Sequence, residues 1–95
     1  MKKKQDFKLI EGEFTPQDAK EVLINLYTSK INFHLMKNFS FSERFGKDDE
    51  TANKRIPELK NSMAIISAIV EKAIDKQKTL IITATVNIKF ADKRK

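Results

Sequence analysis

Ninety-five residues, 40% of them apolar, make one small domain with a thin core, and the content of Ile, Leu, Val and Phe is too high for a disordered chain. With no Cys, disulfides, thiol nucleophiles and thiolate-bound metals are excluded as well. The net charge of +6 sits at the two ends: residues 1–8 and 89–95 each carry three net positive charges, while 9–88 balances eleven bases against eleven acids.

The start, Met1-Lys2-Lys3-Lys4-Gln5-Asp6, is charged like the opening of a secretion signal, but no apolar run follows it. Met63 to Val70 is far too short to span a bilayer, so the expected compartment is the cytoplasm. Lys outnumbers Arg sixteen to three and Ile is abundant, a bias that suits an A+T-rich bacterial or phage coding sequence. The chain is expected to be a single domain over 1–95, with flexible basic tails at about 1–5 and 92–95.

Gln5 to Phe14 reads as a first strand. Phe7 and Leu9 share one parity and Ile10 and Phe14 the other, which predicts a bulge that switches the face, with Gly12 as its expected place. Thr15-Pro16-Gln17-Asp18 then opens a helix: Thr15 caps, Pro16 suits the first helical position, and Asp18 sits at the positive end of the dipole.

That first helix is predicted over about 16–37. Ala19, Val22, Leu26 and Phe33 form one apolar seam, and Ile24, Tyr27, Ile31 and Leu35 a second, with Leu23 between them. Two seams mean two neighbours. Residues 38–49 read as a connecting loop, unusual for placing Phe39, Phe41 and Phe45 beside Arg44, Gly46 and Lys47.

The second helix opens near Asp48, Asp49 and Glu50. From there Ala52, Ile56, Leu59, Met63, Ile66, Val70 and Ala73 recur at alternating steps of four and three, a strict seam facing one partner helix. Pro57 interrupts the helix without shifting the seam's phase, which predicts a kink. Leu80 to Phe90 is the cleanest strand: Leu80, Ile82, Ala84, Val86, Ile88 and Phe90 point one way, and Ile81, Thr83, Thr85, Asn87 and Lys89 the other. Strict alternation predicts one buried and one wet face, as in antiparallel sheets.

The expected fold is therefore α+β, in the order β-α-α-β, with a long helical hairpin packed on one face of a small antiparallel sheet. Two strands alone leave two open edges, so a second copy of the chain is expected to complete the sheet as a homodimer.

Three features are candidate sites. The basic ends (Lys2, Lys3, Lys4, Lys8, Lys89, Lys93, Arg94 and Lys95) converge at one pole in this topology. They could hold phosphate or nucleic acid, although terminal lysines also serve plain solubility. Phe39, Phe41, Arg44, Phe45 and Lys47 would form a protein contact if exposed; burial as a plug for the open end of the hairpin is the favoured reading. Thr83, Thr85, Asn87 and Lys89 could enter a groove of DNA, but β-propensity alone accounts for them.

Nothing in the sequence sets a carboxylate or hydroxyl at catalytic spacing from His34, the sole histidine, which reads as a helix residue at the edge of a packed face. Asp48, Asp49 and Glu50 lack the spacing of a calcium loop and fit helix capping. No enzymatic activity, cofactor or metal is expected. The function expected is that of a small homodimeric interaction or scaffolding protein, with a nucleic-acid module acting through the basic pole as the alternative.

Overall fold

Thr15 decides where strand gives way to helix. Its side chain accepts a hydrogen bond from the Asp18 amide at 3.1 Å, and its extended backbone (φ −64°, ψ 155°) is followed at once by Pro16. In this computed structural model, which describes residues 4–92, the order is β1 (Lys4–Phe14), α1 (Pro16–Phe45), α2 (Glu50–Asp75) and β2 (Leu80–Lys89). The expected β-α-α-β arrangement is present, with β1 and β2 paired antiparallel. The strand begins at Lys4, one residue before the expected Gln5 and inside the span expected as a tail. The remaining tail residues, 1–3 and 93–95, lie outside the described residues.

The face switch in β1 is present, but Leu9 makes it instead of Gly12. Lys8 pairs with Thr85 and Ile10 with Ala84, leaving Leu9 without a counterpart. The extra residue puts Phe7, Ile10, Gly12 and Phe14 on one face, opposite Val86, Ala84, Ile82 and Leu80. An inserted residue has to fall between the two parity sets, and Phe7 and Ile10 bracket it.

The larger correction concerns residues 38–45. They are the last two turns of α1, which runs for 30 residues, or about 45 Å. Neither Gly nor Pro lies between Asn38 and Phe45 to stop the helix. The stop is Gly46, at φ 67°, whose amide donates to the Ser42 carbonyl at 2.8 Å in a left-handed cap. Only 46–49 connects the helices. Asp49 caps α2 by accepting from the Thr51 amide, and its own amide donates to Asn38 Oδ1 at 2.6 Å, tying the turn back to α1.

The α2 helix continues through Pro57, which forfeits one backbone hydrogen bond inside it. Its predicted seam is the packed one: Ala52, Leu59, Val70 and Ala73 are buried, and Ile56, Met63 and Ile66 half-buried. At its C-terminus Gln77 adopts φ 55°. There the Lys78 amide reaches the Ala73 carbonyl and the Gln77 amide that of Ile74, satisfying carbonyls that would otherwise be left over.

Helices and sheet share a face only near their junctions. Ile10, Gly12, Phe14, Leu80, Ile82 and Ala84 are partly covered, whereas Phe7, Val86 and Ile88 further along the same face are exposed. Of the two helices, α1 is the one that approaches both strands. The result is a thin wedge of 52 × 37 × 15 Å with a radius of gyration of 17.1 Å. A compact domain of this length has a radius of gyration of about 12 Å.

Candidate interaction surfaces

The antiparallel register sets Lys4 opposite Lys89, so the two ends of the chain do leave the sheet at the same end. Lys2, Lys3, Lys93, Arg94 and Lys95 lie outside the described residues. Lys8 is occupied, its Nζ lying 3.1 Å from Glu11 Oε2 with both side chains largely in water. An exposed pair of this kind contributes little stability, but it lowers the local positive charge. The wet face of β2 carries Thr83, Thr85 and Asn87 exposed, with Ile81 beside them at 81%.

At the other extremity, the helical continuation of α1 rearranges the aromatic cluster. Phe41 and Phe45, one turn apart, pack with ring centroids 4.6 Å apart, and the Arg44 guanidinium lies 5.7 Å from the Phe45 ring. Phe39 is two residues from Phe41 and so points about 200° round the helix. It therefore does not join them. Phe41 is half-buried, but Phe39 is 65% and Phe45 58% exposed, so the expected burial of the three as a plug does not occur within one chain. A plug needs a loop able to fold inward, and a helix fixes where each ring points. Lys47 is exposed in the short turn.

Between these ends lies a surface that the sequence only hinted at. The first predicted seam of α1 faces the sheet, and Leu9 and Ile10 line one shallow depression with Val22, Leu26 and Ser29. Leu26 stays partly exposed there, and Phe33, two turns further along α1, is exposed as well. Lys30 and Lys37 lie 4.9 and 5.8 Å from the Phe33 ring. On the outer side of α2, Ile65 and Ile69 are exposed too. Leu26 and Phe33 belong to the first of the two predicted seams, whereas the second seam contains the buried Ile31.

His34 lies deeper than the edge position expected of it. It is 7% exposed, edge-on to Phe33, and its Nε2 is buried without a hydrogen-bond partner. At the junction end a cleft of about 820 Å³ opens between the start of α1 and the end of α2, lined by Lys20, Val70, Glu71, Ile74 and Lys78 among others. Its charges are of both signs and it is open to solvent. Among the described residues no group of three or more acids and histidines is placed to hold a metal ion, and no helix is long and apolar enough to cross a membrane.

No protein-family model, curated protein or solved structure matches this chain.

Proposed function

We propose that this chain is a non-enzymatic interaction protein that works as a homodimer, using contact surfaces in place of a reactive site. The observation that carries the reading is surface area. The chain exposes 8182 Å², whereas a compact monomer of 11.0 kDa exposes about 5,600 Å². The excess, about 2,600 Å², is some three times what each partner buries in a standard interface. The six residues outside the description are too few to make up such a difference. Exposed apolar side chains include Phe7, Val86 and Ile88 on the helix-bearing face of the sheet and Leu26 and Phe33 on α1.

With the wedge occupied by a second copy, the tip of the helical hairpin remains outward, and Phe39, Phe45 and Arg44 there are the surface for a further protein partner. Aromatic and Arg side chains are the usual anchors of such contacts. The test is the concentration dependence of thermal unfolding. For a chain whose folded state is a dimer, the midpoint rises as protein concentration is raised a hundredfold from 1 µM. A midpoint that stays fixed over that range refutes the homodimer.

A second reading rests on the opposition of Lys4 and Lys89, which brings both lysine-rich ends of the sequence to one end of the sheet. On that reading the pole binds nucleic acid through phosphate, without reading sequence. Affinity for mixed duplex and single-stranded DNA then falls steeply between 50 and 200 mM salt and is lost on removing residues 1–5 and 92–95. Binding that survives both changes excludes the pole.

A further inference from the structure

The two edges of the sheet are unequal. Each strand has one bare edge, since β1 and β2 are the only strands among the described residues. The β1 edge is protected. It is broken by the Leu9 bulge and carries Asp6, Lys8, Glu11 and Glu13, the devices by which proteins stop strands from pairing. The β2 edge has none of them. Leu80–Lys89 runs ten residues without a bulge or Pro, six are β-branched, and the only charge is Lys89 at its end. A bare edge of that composition recruits another strand.

We infer that two copies of this chain join through their β2 edges, antiparallel about a two-fold axis near Ala84 and Thr85, making a four-stranded sheet in the order β1-β2-β2-β1. The inference rests on the homodimer proposed above and specifies how it is built. The gradient of burial along the sheet favours this arrangement. Within one chain the helices cover the Leu80–Ala84 half of β2 and leave Val86 and Ile88 bare. Antiparallel pairing about the strand's middle sets the bare half of each strand beside the covered half of its partner. The partner's helices then extend over the residues that a chain's own helices miss. Side chains alternate with period two, so only registers pairing residues of like parity bring the two apolar faces together. Such a register also keeps Thr83, Thr85 and Asn87 of both copies on the wet face.

The experiment uses the absence of Cys. Thr83→Cys and Thr85→Cys variants of the full chain, alone and mixed, place single thiols at exposed positions near the proposed axis. Lys8→Cys on β1 and Ile69→Cys on α2 are the controls. Each is oxidised at micromolar concentration, run on a non-reducing gel, and weighed by sedimentation without oxidant. Directly opposed residues of paired strands lie within disulfide reach, and residues elsewhere do not. A two-chain mass for every variant, with covalent dimer from position 83, 85 or their mixture and little from 8 or 69, is the expected result. A two-chain mass with cross-linking only through position 8 or 69 overturns the β2 pairing and leaves the homodimer standing. A single-chain mass overturns both.

Discussion

Near the helix–strand junctions Ala19 is completely buried and Val70 and Ala73 nearly so, whereas towards the far ends Phe7, Ile88 and Phe45 keep half or more of their surface in water. Thr15 alone joins β1 to α1, and four residues join α2 to β2, so near those links strands and helices cannot part. Thr79 and Glu13, hydrogen-bonded across the base of the sheet, close the same end. Away from these links only packing holds the helices to the sheet, while the helices are joined to each other again at 46–49, where Ala52 is completely buried; Pro57 inside α2 and the unpaired nitrogen of His34 on α1 lie on that side. Near the strand links the helices cover the sheet, and further out the sheet face stays open.

Substitutions can break or sharpen this contrast. The largest effect belongs to the junction. Val70→Asp buries a charge at a site 2% exposed and removes about 4 kcal/mol or more, enough to unfold a domain of this size, as loss of the far-ultraviolet helical signal reports. In the distal half the changes should improve the protein. Pro57→Ala restores the missing helical hydrogen bond and gains about 2 kcal/mol after allowing for the more flexible unfolded chain, read from the urea midpoint. His34→Leu removes the unsatisfied nitrogen and gains about 1 kcal/mol in the same measurement; a loss there means that nitrogen has a partner. The smallest effect is at the tip, where Phe45→Ala changes stability by less than about 0.5 kcal/mol, because the ring is mostly in water already. If Phe45→Ala unfolds the protein, the tip belongs to the core and is no contact surface.

How much of this was legible in the sequence follows from the range of the interactions. The β2 strand, the α2 seam and the caps at Thr15 and Asp49 depend on neighbours a few residues away, and periodicity and residue type reveal them. Residues 38–45 were misread because Asn and Ser suggest a turn, while the true stop, one Gly in the left-handed conformation, stands eight residues further on. The bulge was visible as a parity conflict, yet parity alone could not choose between Gly12 and Leu9. Of the candidate sites, the meeting of the two basic ends followed from strand order. The exposure of Phe39 and Phe45 did not, since it depends on the helix being longer than the sheet it accompanies. The opening of the wedge is a balance of weak contacts over long separations, which no local pattern records.

Small-angle X-ray scattering of the full chain at several micromolar concentrations tests the completed wedge most directly, because one curve gives both mass and dimension. The account predicts the mass of two chains with a radius of gyration above 17.1 Å, because two copies of one shape joined side by side cannot have a smaller radius than either alone. The mass of one chain at 17 Å, unchanged as concentration rises, would contradict it.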